Sequence, residues 1–275
     1  MIRPSVSSRT RAQTVLTVLR TEWQSPRMVR VIAGGDGFEN YKNNEFTDRY
    51  VKLLFTKPEL GLVPPFDLEV LRLVLPPEDW PVVRTYTVRW VDTETRQLAI
   101  DFVIHGDEGI AGPWAAQAQP GDNLVFLGPA GGFVPDPTVD WHLFAGDASA
   151  LPAISVALAA LPSSALGIAY FEVTDDDDIP WMLPAPSGFQ LEWLLEIPNP
   201  DPADLATTID YGYWPWDQRV QVFAHGERES MRHIRALVKQ RRVPRELTSL
   251  SGYWAKGRNE DDFQADKYRQ IGGTH

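Results

Sequence analysis

The chain has 275 residues, 43% of them apolar and 23% charged, with a formal net charge of -11. That length suits two domains, and that apolar share excludes wholesale disorder. The acidity excludes bulk attraction to nucleic acid or anionic membranes, and the absence of cysteine excludes disulfides, thiolate catalysis and thiolate-held iron–sulfur or zinc sites.

The first half reads as β structure. Met1 to Gln13 carries three arginines and no apolar run, which is unlike a secretory signal. Gln13–Leu19, Arg27–Ile32, Tyr50–Phe55, Arg84–Asp92 and Gln97–Ile104 are rich in β-branched and aromatic residues. Clusters of Gly, Pro, Asn and Asp separate them, a spacing that predicts strands of a small antiparallel barrel. Val91 to Gln97 contains the turn of a hairpin. Pro113–Ala118 is the predicted helix of this half, opened by a proline and continued by small residues. A strand follows at Leu124–Leu127.

Glycines and prolines at 131–137 mark a boundary, so we expect a barrel domain over 1–135 and an α/β domain over 136–275 with a helical C-terminal tail. Trp141–Ala145, Leu166–Val173 and Val220–Ala224 read as buried strands, and Leu151–Leu161 and Ser230–Arg242 as helices. Phe189–Glu196 is a strand or a helix. Such alternation predicts a parallel sheet with right-handed crossovers. The uncharged run Ala148–Phe171 is long enough for a membrane span, but Pro152, Pro162, Ser163 and Ser164 break it into a helix, a turn and a strand. The predicted compartment is the cytoplasm, with no membrane partner.

Cations are unevenly placed. No Lys or Arg occurs between Arg96 and Arg219, so within that stretch an anion must be held by backbone N–H groups or a helix N-terminus. Three local patterns could carry chemistry. On a strand, Arg84 and Tyr86 share one face and Thr87 lies on the other. A cation, an aromatic plate and a hydroxyl suit a flat, electron-poor ring with a pyrophosphate tail, although a solvated edge strand gives the same short pattern. His105 opens a glycine-rich loop that leads through Gly112 into Trp114 and Ala115, and such a turn can meet a phosphate or simply close a barrel. The strand–turn–helix at Gly146-Asp147-Ala148-Ser149-Ala150 occupies the place of a dinucleotide-binding turn without the G-x-G-x-x-G fingerprint. No cluster has metal-ligand spacing, and no hydrolase or P-loop motif appears.

In order, these patterns are R-x-Y-T-x-R at Arg84, H-G…G-P-W-A from His105, and G-D-x-S-A-L-P-A-I from Gly146. Phe46 to Phe55, Phe223 to Glu227 with Met231 and Arg232, and Gly252 to Arg258 complete the set. Together they resemble the siderophore-interacting proteins over roughly Val15 to Lys267. The resemblance implies an FAD-binding β-barrel followed by a nicotinamide-nucleotide-binding α/β domain, and a ferric-siderophore reductase fed by NADH or NADPH. It places Arg84, Tyr86, Thr87, His105, Gly112, Trp114 and Ala115 at the flavin. Gly146, Asp147, Ser149, Ala150, Gly226 and Glu227 would face the nicotinamide nucleotide. Lys52, Lys256 and Arg258 would meet an anionic ferric siderophore. An acid in Asp175-Asp176-Asp177-Asp178 would accept from a ribose 2′-hydroxyl and repel a 2′-phosphate, which leans toward NADH. A ferredoxin is an alternative electron donor. A general diaphorase or flavin reductase and a non-catalytic flavoprotein or siderophore carrier are the competing readings.

Overall fold

The computed structural model describes residues 12–106, 109–197 and 200–257. The first unit is built from β1 (Gln13–Ser25), β2 (Met28–Gly34), β3 (Tyr50–Phe55), α1 (Leu68–Val74), β4 (Val82–Asp92), β5 (Gln97–Val103), α2 (Ala111–Gln117) and β6 (Asn123–Ala130). Its six strands close an antiparallel barrel in the order β1-β2-β5-β4-β3-β6, the fold class expected for this half. Alternate residues Leu16, Val18, Leu53, Leu98, Ile100, Phe102, Leu124 and Phe126 turn inward and are almost fully buried. Each such side chain contributes about 1.5–3 kcal/mol of burial, so the alternation alone selects the inward face. The β4–β5 turn forms where Asp92 accepts hydrogen bonds from the backbone N–H groups of Glu94 and Thr95 and from the Thr95 hydroxyl. Arg96 completes it at φ 56.

The second unit runs β7 (Trp141–Gly146), α3 (Leu151–Ala160), β8 (Leu166–Val173), β9 (Gly188–Leu195), α4 (Asp204–Tyr211), β10 (Val220–Glu227), α5 (Arg228–Gln240) and β11 (Thr248–Trp254). Its sheet is parallel throughout, in the order β11-β10-β7-β8-β9. Central β7 and β10 are buried on both faces and are apolar except for the buried His142, Gln221 and His225 and the terminal Glu227. The run 148–171 is α3 packed on this sheet and β8 within it; among the described residues no helix is long and apolar enough to cross a membrane.

Three elements departed from expectation. α1 buries none of its residues; it is set by Asp67, whose carboxylate caps Glu69 and Val70. α4 carries Thr207, Thr208 and Ile209, poor intrinsic helix formers, and forms because Leu205, Ala206 and Ile209 pack into the sheet's core. β11 is a half-exposed edge strand whose register comes from β10. The ambiguous stretch at 189–196 is the strand β9. The expected C-terminal helical tail lies outside the described residues, as does Arg258.

The two units are latched together. Asp178, almost buried, accepts from Arg27 at 2.7 Å and from the Ser25 hydroxyl at 3.0 Å, joining the β1–β2 turn to the loop after β8. The buried Asp48 accepts from the N–H groups of Gly132 and Phe133, both at 2.9 Å, and so fixes the connection between the units.

Candidate functional site

Strand order reverses between β7 and β10, because the chain adds β8 and β9 on one side of β7 and β10 and β11 on the other. Their carboxyl ends therefore splay apart into a crevice, the usual ligand position of an open α/β sheet. The barrel wall at β3 and β4 stands over this crevice. Together they enclose a cleft of about 2170 Å³, several times the volume of an ordinary small-molecule pocket.

On the barrel side the cleft is lined by Lys52, Arg84, Thr85, Tyr86, Thr87, His105 and Gly112. Both faces of β4 reach it at this end. The Tyr86 ring packs on the barrel core, 4.4 Å between centroids from the buried Phe102 and tilted 33° to it. Phe102 thus fixes the plane of the aromatic plate. An aromatic ring, a guanidinium and a hydroxyl on one wall fit a flat heteroaromatic ring with a phosphate tail. Trp114 and Ala115 are placed otherwise: Ala115 is fully buried in the barrel core, and Trp114 packs edge-on against Phe55 and beside Phe102.

On the sheet side the cleft is lined by Asp147, Ser149, Glu172, Trp193, Glu227, Arg228, Tyr253, Trp254 and Lys256, among others. Gly146 ends β7, where an added Cβ would strike the carbonyl of His225 and the Ala150 side chain. Gly226 adopts φ 153, and a Cβ there would stand 2.7 Å from Asp147 Oδ2. Ala150 lies wholly in the core beneath. Small residues thus let the two strand ends approach.

The turns are less open to anions than the sequence implies. Asp147 accepts from Ser149 N–H at 2.8 Å and from the Ser149 hydroxyl at 2.5 Å, and its carbonyl takes the N–H groups of Ala150 and Leu151. Glu227 in turn caps α5 by accepting from Glu229 and Ser230. At the switch point the N-terminus of α5 thus carries an acid of its own, which offsets the dipole that would hold a pyrophosphate there, whereas α3 has no side-chain cap and the Asp147 carboxylate is engaged by the turn before it. Among the cations lining this side, Arg228 stands at the mouth of β10.

Burial pushes the Asp147 carboxyl up, against the hydrogen bonds from Ser149, from Trp254 Nε1 at 2.7 Å and from the Glu227 N–H. Glu172, at the end of β8, is pushed up to about 7 by burial and by the charges of Asp147, Glu196, Asp204 and Glu227. The run 175–178 does not reach the cleft. Asp175 caps a short 3₁₀ turn and Asp178 is spent on Arg27, so Glu172 and Thr174 are the β8-end residues that line it. Trp193, Trp254, Tyr253, His225 and Glu172 are functional candidates that residue-type reasoning alone left unassigned. Position at a strand's carboxyl end is the signal they share.

Glu172 yields a pH prediction. Its folded pKa lies above the unfolded value, so its contribution to stability is full at low pH and is lost as pH rises from the model-peptide range toward 7. Glu172→Gln should raise stability at pH 8 by about 1–3 kcal/mol, with the gain vanishing below pH 4. Urea melts at pH 4 and pH 8 check this; an equal effect at both values refutes the assignment.

Known proteins carry the same plan. Residues 17–133 match the siderophore-interacting FAD-binding domain, and residues 139–257 match the siderophore-interacting protein domain. An uncharacterized protein of Mycobacterium tuberculosis is 41% identical over 94% of this chain and 96% of its own. The ferric vibriobactin reductase ViuB of Vibrio cholerae is 32% identical over 92% of this chain and 93% of its own. The NADPH-dependent ferric-chelate reductase of Escherichia coli is 35% identical over 72% of this chain and 79% of its own. The crystal structure of a siderophore utilization protein from T. fusca superposes with a TM-score of 0.77 at 35% identity, covering 90% of this chain and 94% of that one. With an FAD-type barrel wall facing a nucleotide-type switch point across one cleft, the chain belongs to the siderophore-interacting protein family.

Proposed function

We propose that this protein is a cytoplasmic, FAD-dependent reductase that frees iron from a ferric siderophore with electrons from NADH or NADPH. One observation carries the reading: the aromatic and cationic wall of β4 and the switch point of the parallel sheet open into the same cleft. Bound FAD supplies the means to take a two-electron hydride and return single electrons, which protein side chains lack. Tyr86 gives the ring a plate, Thr87 a hydroxyl at its edge, and Arg84 a charge for the pyrophosphate. His105 and Gly112 border the rest of that site, with Trp114 and Ala115 as the packing beneath it. Gly146, Asp147, Ser149, Ala150, Gly226 and Glu227 shape the nicotinamide side, and Arg228 offers its pyrophosphate a cation. Glu172 and Glu227 border this side with acid, which disfavours a 2′-phosphate and supports NADH over NADPH. A domain division at 135/136 puts the two ligands on separate units that meet at the cleft.

The substrate is Fe(III) in a hard-oxygen chelate, and reduction to Fe(II) weakens its hold. Lys52 on β3 and the exposed Lys256 beyond β11 both border the cleft and suit an anionic chelate; Arg258 belongs to the same proposal. Anaerobic NADH should bleach the yellow protein, and a ferric siderophore should restore the colour. Protein purified without flavin, or holoprotein inert to ferric chelates after chemical reduction, refutes the reading. The acid-capped start of α5 favours one alternative, a family member fed by another electron carrier such as a ferredoxin. Bleaching by dithionite but by neither nicotinamide would select it. Lys256→Ala should raise KM for anionic ferric siderophores about 3–10-fold and leave neutral ones unchanged, as expected for one partly screened charge. A uniform effect on both substrate sets removes Lys256 from the substrate site.

A further inference from the structure

Three charged side chains meet on the barrel wall beside the cleft. Asp101 on β5 is 4% exposed and lines the cleft. Arg30 on β2 donates to both of its oxygens, from Nε at 2.6 Å and from Nη2 at 2.8 Å. That pair is complete in itself, one cation on one anion through two hydrogen bonds. Arg89 on β4 is a second cation facing the same acid. Its Nε stands 3.7 Å from Asp101 Oδ2, beyond hydrogen-bond distance, and its side chain is only 19% exposed. Glu22, which also acts on Arg30, is solvated and bonded to Arg20 at 2.8 Å. Two cations and one committed acid leave one positive charge in excess.

The backbone brings Arg89 to this place. Val88 pairs with Ile100 and Trp90 with Ala99, so Arg89 is the extra residue of a β-bulge. A bulge breaks the ladder locally and re-aims a side chain. Thr87, two residues earlier, lines the cleft with Arg84 and Tyr86. Burial pushes the Arg89 guanidinium below its ordinary value; Asp101 works against that shift and Arg30 adds to it. An apolar side chain at 89 would avoid this cost and leave the Arg30–Asp101 pair whole, so stability does not account for the charge.

Charge balance in the reaction gives it a use. A hydride carries one negative charge, so the ring system that accepts it becomes one unit more negative unless a proton follows. We propose that Arg89, held beside the flavin wall by Asp101, stabilises the reduced, anionic state of bound FAD over the oxidised state and so raises its reduction potential, an inference that rests on the reductase reading. Arg89 acts by its field rather than by contact and is a tuning residue, not a catalytic one. Its half-buried position weakens the screening that water would impose. Across the cleft Glu172 and Glu227 push the potential the other way. Arg89 thus keeps the flavin reducible by a nicotinamide in a cleft otherwise rich in acid.

The test is the potential itself, read by anaerobic dye equilibration of the FAD-loaded protein, beside the Kd of apoprotein for oxidised and for dithionite-reduced FAD. Arg89→Met should bind reduced FAD about tenfold less tightly and oxidised FAD within about threefold of wild type, a fall of about 30 mV for a two-electron couple. Arg89→Lys, which keeps the charge, should hold the ratio of the two constants within about twofold of wild type. The Arg89→Met apoprotein should melt no lower than wild type. Arg30→Met/Arg89→Met/Asp101→Leu removes the same excess charge without the buried pair and should lower the potential equally, which keeps the test open if the single variant folds poorly. An unchanged potential in both Met-containing variants overturns the tuning role, as does equal weakening of both redox states of FAD. A fall in Arg89→Lys as large as in Arg89→Met overturns the charge account. A wild-type protein that binds no FAD overturns the reductase reading and the tuning role with it.

Discussion

Arg84→Ala/Tyr86→Ala protein is expected to purify colourless, with an FAD Kd raised about 10²–10⁴-fold. Removing the Tyr86 plate forfeits about 1–3 kcal/mol of stacking, as for a base on an aromatic side chain. Removing the Arg84 guanidinium forfeits about 1.5–3 kcal/mol of charge-assisted hydrogen bonding to phosphate. Each alone should cost about 10–100-fold. The plate is not an isolated surface group: Tyr86 rests on Phe102 at 4.4 Å, so Tyr86→Phe should keep most of the affinity while Tyr86→Ala does not. Quenching of flavin fluorescence on titration measures the Kd, and a melt of the apoprotein separates lost binding from lost fold. An FAD Kd within threefold of wild type in the double variant would remove β4 from the flavin site.

Asp101→Ala is expected to lower unfolding stability by about 3–5 kcal/mol, a large share of a typical domain's margin. Asp101 is buried on β5 and faces Arg30 on β2 in register. Arg30 Nε and Nη2 donate to its two oxygens at 2.6 and 2.8 Å, and Arg89 Nε approaches the second at 3.7 Å. Desolvation already disfavours the Arg89 charge, and Asp101 is the group that offsets it. Alanine would leave two half-buried guanidiniums unpaired and facing each other. The cost belongs to the orphaned charges rather than to the net worth of the pair, so Arg30→Met/Arg89→Met/Asp101→Leu should recover most of it. Urea unfolding of the three proteins at one pH decides. A loss under 1 kcal/mol in Asp101→Ala would show that water reaches the arginines.

Much of the architecture was legible because burial imposes simple periods. Tyr50–Phe55 and Leu166–Val173 are strands with the bounds their apolar runs imply, and the hairpin before Gln97 follows from Asp92. α5 was legible because Met231, Ile234, Leu237 and Val238 recur at helical spacing and all are buried. α1, α4 and β11 were not, since their formation depends on a cap, on packing over an already formed sheet, and on a neighbour's edge. The site divides the same way. Arg84, Tyr86 and Thr87 announce themselves as a cation, a plate and a hydroxyl within four residues, and they do line the cleft.

What one chain of letters determined here was a barrel followed by a parallel sheet, a cation-free middle, and a family whose motifs occur in order. Only tertiary structure decided how acids were spent. Asp178 latches the units through Arg27 rather than reading a ribose, Asp147 and Glu227 close the turns they lead, and Glu172 and Glu196 are among the acids that line the cleft. Likewise Thr87 and Tyr253 line one cleft although 166 residues separate them, because the barrel stands over the sheet's switch point. Local pattern reports which face of an element is buried; which distant charge or hydroxyl meets it depends on the packing of whole elements, and that carries no short-range signature.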